Sequence, residues 1–347
     1  MDFKAFFEEA IKQKASDLHL VGGSVPTIRV DGELFKLGPD PVNSNDLEKE
    51  VRALIGEKKW ERFLRRRELD FSEELIGTRF RINLHFQEGK IGLTARLVPE
   101  AVPSPEEVGF DEVIYKLTHL QDGLIIVTGP SGSGKSTTLA SMINIINHER
   151  RAHIITIEDP IEYYFKEEQS IIEQRELGSD TTSFAEALKY ALRQDPNIIM
   201  VGEMRDLETI TAALTAAETG HLVLTTLHTF TAPETIDRIV SIFPAHKHQE
   251  ILVQLASVLR AVISQQLIPK IDGGRIAARE IMINNSAIAN LIRGNQIGQI
   301  YSAIQTGKKE GMVTMNKAID NLYEKGLISA EVSQNRKRDL ETQSVYY

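Results

Sequence analysis

The sequence predicts an α/β protein in two parts. A small α+β domain is expected over residues 1–98. Beyond a linker at 99–105, a larger strand–helix domain runs over 106–347 and ends in a helical region. Three observations carry this reading. Short runs between Glu68 and Val98 alternate apolar and polar positions, the period of half-buried antiparallel strands. After residue 105, apolar strands alternate with helical stretches, as in a parallel sheet covered on both faces. Between them, Pro99-Glu-Ala-Val-Pro103-Ser-Pro105 sets prolines so close together that neither a helix nor a strand can continue through.

In the first part, the stretch from Ile11 to Leu20 passes from a helical pattern into a strand at Asp17–Leu20. Val25 to Phe35 then reads as two strands around a turn at Asp31-Gly32. Asn45–Ile55 and Lys59–Arg67 are predicted as amphipathic helices. Glu68–Phe71, Arg79–Phe86 and Ile91–Val98 are predicted as strands. In the second part the predicted strands are Leu124–Val127, Ile154–Ile157, Ile198–Val201 and Leu222–Thr226, with helices near 139–147, 184–193 and 206–219. From Pro233 onward helices are expected to dominate: Glu234–Val240, Lys247–Ser264, Ser286–Leu291 and Thr314–Lys325.

Composition narrows the function classes. Hydrophobic residues make up 41% and charged residues 26% of the chain, which fits a soluble globular protein. No apolar run approaches the length of a transmembrane segment. The N-terminal Met-Asp-Phe-Lys-Ala-Phe-Phe-Glu-Glu carries acids where a signal peptide needs an apolar core, so a cytoplasmic location is expected. Absence of cysteine excludes disulfides, thiolate chemistry and cysteine zinc sites. A net charge of −9 argues against a global nucleic-acid surface. The one basic cluster, Lys58 to Arg67, interleaves Trp60 and Phe63. It reads as a helix with a solvated basic face and Trp60, Phe63 and Leu64 turned inward.

The most informative segment is Gly129-Pro-Ser131-Gly132-Ser133-Gly134-Lys135-Ser136-Thr137. The pattern Gly-x4-Gly-Lys-Ser/Thr is a phosphate-binding loop when a buried strand enters it and a helix leaves it. Leu124–Val127 and the stretch from Leu139 meet both conditions. The backbone N–H groups of Ser131 to Thr137 are expected to cradle the phosphates of ATP. The following helix adds its positive end, Lys135 reaches the β- and γ-phosphates, and the Ser136 hydroxyl takes Mg²⁺.

Hydrolysis also needs a carboxylate near the attacking water and the metal. Ligands of an open parallel sheet bind at the carboxyl ends of its strands, and three strands end in candidates. Ile198 to Val201 leads through Gly202 to Glu203, the predicted general base or water-orienting group; Asp206 is better placed as a helix cap. Ile154 to Ile157 leads to Glu158 and Asp159, either of which would support Mg²⁺. The third ends at His228, a candidate γ-phosphate sensor. Arg79, Arg81 and Arg96 lie on neighbouring predicted strands of the first domain, and Arg193 and Arg205 flank the Glu203 strand. These are the candidate cations for offsetting transition-state charge.

The ordered set Gly129–Thr137, Thr156–Glu162, Gly202–Asp206 and His221–Thr229 resembles the secretion ATPase superfamily. More closely, it resembles PilT-like type IV pilus retraction (twitching motility) ATPases. The likeness spans nearly the whole chain, from Ser16-Asp17-Leu18-His19 to Tyr301–Gly307. It implies a PAS-like N-terminal domain, a RecA-like C-terminal ATPase domain, nucleotide held between them, and a homo-hexameric ring. It further implies a catalytic set of Glu203, Glu158, Asp159 and His228, with Arg81 and Arg96 directed at the phosphates. The implied output is pilus retraction through an inner-membrane platform protein of the pilus machinery, at the cytoplasmic face of the inner membrane, with no direct nucleic acid. The main departure from the pattern is Ser286 to Gly294, which has Ala289 and Gly294 where such ATPases carry Arg and Glu; Gln194 and Asn197 also replace acids, with little expected effect. The site residues are retained, so the change at Ala289 and Gly294 bears on mechanical output. An accessory or assembly/secretion ATPase, or a low-turnover nucleotide-binding ring component, are the alternative readings.

Overall fold

A computed structural model describes residues 3–30, 32–98 and 101–337. Within them the chain forms two compact units. One comprises the residues up to Ala101 together with Pro160–Tyr164; the other comprises Val102–Asp159 and the chain from Phe165 onward. Pro99 and Glu100 of the predicted linker, and Asp31 of the predicted turn, lie outside the described residues.

The first unit holds α1 (Phe3–Lys12), β1 (Asp17–Val21), β2 (Thr27–Val30), β3 (Glu33–Lys36), α2 (Ser44–Arg66), β4 (Glu68–Leu75), β5 (Thr78–Gln87) and β6 (Lys90–Leu97). The six strands form one antiparallel sheet in the order β3-β2-β1-β6-β5-β4. Strand periodicity decides what it buries. Phe80, Ile82 and Leu84 alternate along β5 and face the core with Phe7, Leu18, Leu47 and Phe63. The two helices expected at 45–67 form one span, α2, bent at Gly56, whose φ of 70° and ψ of 166° are not helical. Asn43 caps its start by accepting from the Asn45 and Asp46 N–H groups. Trp60 and Phe63 are buried as expected, but Leu64 is 45% exposed. Leu64 directly follows Phe63 on the helix and falls off the core-facing stripe. Two cations of this stretch lie over ring faces, Lys59 on Phe71 and Arg67 on Phe86.

The second unit begins with α3 (Pro105–Val108) and α4 (Glu112–Thr118). Then come β7 (Gly123–Thr128), α5 (Lys135–Glu149), β8 (His153–Glu158), β9 (Ile171–Glu176), α6 (Phe184–Ala191), β10 (Ile198–Val201), α7 (Leu207–Glu218) and β11 (Leu222–Leu227). The chain continues through α8 (Ala232–Ser241), α9 (His248–Val258), β12 (Leu259–Pro269), β13 (Arg275–Ile283), α10 (Ser286–Arg293), α11 (Ile300–Thr306), α12 (Met315–Glu324) and α13 (Ala330–Arg336). The sheet order is β13-β12-β7-β11-β10-β8-β9, parallel except for the β12–β13 pair. Alternate residues of β7 serve opposite layers. Leu124 and Ile126 pack with α7 and α9, while Ile125 and Val127 pack with α4 and α5.

The hairpin β12–β13 corrects the expectation of helices after Pro233. The helix expected over 247–264 ends at Val258, and the chain turns into a strand at Leu259. The return comes at Gly273 and Gly274, with φ of 86° and 71°. These are left-handed conformations that glycine adopts without steric cost. β9, an additional edge strand, also went unpredicted, because Ile171-Ile-Glu-Gln-Arg-Glu is only partly buried.

Candidate nucleotide-binding site

The sheet order gathers the predicted residues. β7, β11, β10 and β8 are consecutive parallel neighbours. The chain leaving their carboxyl ends carries, in that order, the loop 129–134, His228, Glu203 and Glu158 with Asp159. With neighbouring strands about 4.8 Å apart, Glu203 emerges roughly 10 Å across the sheet from the loop strand.

Three glycines allow the loop its shape. Gly129, Gly132 and Gly134 have φ of 147°, 75° and 86°. A Cβ on Gly129 would stand 2.3 Å from the Gln265 carbonyl oxygen, and one on Gly134 would stand 2.9 Å from Gln265 Nε2. α5 starts on Gly134 with no side-chain cap, whereas α4, α6, α7, α8, α10 and α12 each start on a capping Asp, Ser, Thr or Asn. No capping side chain therefore stands over the positive end of its dipole, where an anion is favoured. Lys135 is buried, its Nζ donating to the carbonyls of Gly129 and Pro130 at 2.8 and 3.1 Å. Ser133 Oγ is buried without a hydrogen-bond partner. Such an orphan costs free energy unless a ligand or water meets it. Pro130 to Ser133 line a cavity of about 400 Å³ with Phe230, Gln265, Leu267 and Arg275. The loop thus fits a phosphate chain. The hydroxyl of Ser136, in the first turn of α5, is the hard oxygen donor that Mg²⁺ prefers.

Glu203 is the hub of the polar cluster. Its Oε2 accepts from Arg205 Nε at 2.7 Å and lies 3.2 Å from His228 Nε2. Its backbone neighbours are fixed by the flanking strands. Gly202 N–H donates to the Ile157 carbonyl, Met204 N–H donates to the Thr226 carbonyl, and Thr226 Oγ1 donates back to the Gly202 carbonyl at 2.6 Å. Asp206 caps α7, accepting from the Thr209 N–H at 2.8 Å. Glu158 is buried, and its Oε1 accepts from Thr156 Oγ1 at 2.7 Å and Gln174 Nε2 at 3.3 Å. Asp159, next along, is exposed. A chain of hydroxyls, Thr128–Thr229–Thr235, with each oxygen pair 2.7 Å apart, ties the strand entering the loop to the segment that carries His228.

The arginines separate. Arg205 reaches Glu203. Arg81 and Arg96 belong to the first unit, directly opposed on β5 and β6. Arg96 Nε donates to the buried Asp17 at 2.8 Å, and Arg79 lies over the Tyr164 ring at 3.9 Å. Ala289 lies on the buried face of α10, and Gly294 is the C-cap of that helix. Gln265 and Arg279, which touch the loop or its support, were not anticipated. Asp272-Gly273-Gly274 between two apolar runs was the hairpin signal that would have located them.

A profile of the Type II/IV secretion system protein family matches residues 109–343. The chain belongs to that family. Among family relatives, it is 47% identical to the "Type IV pilus retractation ATPase PilT" of Pseudomonas aeruginosa, over 97% of this chain and 98% of that protein. It is 46% identical to a twitching motility protein of Neisseria gonorrhoeae, over 92% and 86%. Its fold is similar to that of the crystal structure of the pilus retraction motor PilT with bound ADP, with a TM-score of 0.92 at 46% identity, covering 99% and 98% of the two chains. Among the described residues no helix is long and apolar enough to cross a membrane.

Proposed function

We propose that this chain is a Mg²⁺-dependent ATPase motor that powers type IV pilus retraction, working as a homo-hexamer on the platform protein of the pilus machinery. The observation that carries the reading is the alignment of loop 129–134, His228, Glu203 and Glu158 along consecutive strand ends, in a chain 47% identical over nearly its full length to a pilus retraction ATPase.

In this reading the N–H groups of residues 131–137 and the Lys135 ammonium bind the triphosphate of ATP. Ser136 would hold Mg²⁺ with Glu158 or Asp159 in support, and the ion would offset phosphate charge when bound. Glu203 orients the attacking water and takes up its proton. His228 reports occupancy of the γ-phosphate position through its contact with Glu203. Arg81 and Arg96 are assigned the offsetting of transition-state charge. Positioning and electrostatics do most of the work in phosphoryl transfer, so each group acts by where it is held.

The test is complementation. The chain is expressed in a bacterium whose own pilus retraction ATPase gene is deleted, beside its Lys135→Ala variant. The reading predicts restored twitching with the wild type and none with the variant. Surface pili that stay extended, from a chain that hydrolyses ATP normally in vitro, would favour the accessory or assembly reading and refer the failure to the segment around Ala289.

A further inference from the structure

Gln265 and Arg279 face each other as directly paired residues of β12 and β13, behind the phosphate loop, and both are buried. The Gln265 carboxamide is engaged at both its oxygen and its nitrogen. Its Oε1 accepts from Thr138 Oγ1 at 2.8 Å and from Arg279 Nε at 2.9 Å, and its Nε2 donates to the Ser133 carbonyl at 2.6 Å. The remaining nitrogens of Arg279 donate to the carbonyls of Val108 and Gly109 at 2.8 and 3.0 Å, and its guanidinium lies over the Phe110 ring. The acceptors it meets through these bonds are neutral oxygens. Burial pushes its pKa down to about 10, which leaves it charged at neutral pH.

The geometry points to Gln265, oriented by Arg279, as the residue that sets the anion-binding conformation of the phosphate loop. The reason lies in the peptide plane. In a trans peptide the C=O and the following N–H point in opposite directions. Holding the Ser133 carbonyl on Gln265 therefore turns the Gly134 N–H to the opposite side, away from β12. A free 133–134 peptide could flip, because Gly134 tolerates either hand of backbone. A flip would present a carbonyl oxygen where a phosphate needs a donor. Thr138, held by the same carboxamide, fixes the first turn of α5 against β12. Arg279 polarises the carboxamide and keeps its oxygen facing away from the Ser133 carbonyl, so the amide cannot rotate and offer an acceptor. Gln265 is thus a positioning residue. This inference rests on the nucleotide reading of the loop.

Gln265→Glu separates positioning from mere packing. The carboxylate keeps the acceptor contacts to Thr138 and Arg279 and gains an ion pair, but has no donor for Ser133. Gln265→Met fills the same volume without charge. The measurement is the Kd for a fluorescent ADP on the full chain, with the unfolding midpoint of the nucleotide-free protein, for both variants and for Lys135→Ala. The expected result is at least tenfold weaker ADP binding in both Gln265 variants, each still folded in the nucleotide-free state. A folded Gln265 variant that binds ADP within threefold of wild type overturns the inference. If Gln265→Glu fails to fold, because its carboxylate faces the Ser133 carbonyl, Gln265→Met decides by the same threshold. If Lys135→Ala also binds normally, the nucleotide reading itself fails; if only the Gln265 variants do, that reading stands and the positioning role falls.

Discussion

His228 Nε2 stands 3.2 Å from Glu203 Oε2, the same oxygen that accepts from Arg205 at 2.7 Å. Two groups on different segments, one after β11 and one beside Glu203 itself, thus fix a single carboxylate oxygen. The Glu203 side chain is 13% exposed while those of Arg205 and His228 are 71% and 48% exposed. The acid emerges from the sheet, and its partners reach it from the solvent side.

Glu203→Gln keeps the side-chain volume and removes the charge proposed to accept a proton. Steady-state ATP hydrolysis should fall by about 100-fold or more, the usual scale for losing a general base. ADP affinity, measured by fluorescence titration, should stay within a few-fold of wild type, because the loop at 129–134 follows another strand.

His228→Ala should lower kcat by roughly tenfold through loss of one hydrogen bond to a charged group. Thr229→Val should produce a smaller loss in the same direction, because it breaks the hydroxyl chain from Thr128 to Thr235 that positions the His228 segment. Measured together, the double variant should lose no more than His228→Ala alone. Additive losses would mean that Thr229 acts elsewhere.

Gly129→Ala combines a Cβ placed 2.3 Å from the Gln265 carbonyl oxygen with a φ of 147°. Overpacking and backbone strain each cost about 1–3 kcal/mol. The variant should lower the thermal midpoint and weaken nucleotide binding together. Gly132→Ala also carries positive φ but meets open space, so it should cost less on both readouts.

Asp17 gives an acid-dependent stability term. Burial alone would raise its pKa, but hydrogen bonds from Ser16 and Arg96 outweigh burial and hold it below the ordinary 3.8. A carboxyl depressed in the folded state contributes stability that is fully present above the unfolded value and is lost as pH falls through the folded one. Denaturant midpoints of wild type should therefore decline below about pH 4 more steeply than those of Asp17→Asn, and the variant should be the less stable of the two at pH 7.

Much of this was legible in the residues. The loop at 129–137 declares itself because glycines at fixed spacing, a lysine and a hydroxyl serve one purpose between a strand and a helix. Glu203 stood out because an acid after four apolar residues and a glycine has to leave a buried strand. β12 was hidden because the helical pattern of α9 runs without a break into Leu259-Arg-Ala-Val-Ile, and a strand buried on both faces shows no alternation. Missing that hairpin hid Gln265 and Arg279, whose meaning comes from direct cross-strand pairing. Leu64 was placed inward because apolar content alone does not say which side of a helix faces the core. That Arg96 meets Asp17 follows from the β1–β6 register, which local pattern does not encode.

The most direct test of the account is Mg²⁺-dependent ATP hydrolysis per chain across a wide range of protein concentration, with Lys135→Ala beside the wild type. The account predicts a specific rate that climbs steeply as rings assemble, and none in the variant. A rate that is flat with concentration, or one that survives in Lys135→Ala, would contradict it.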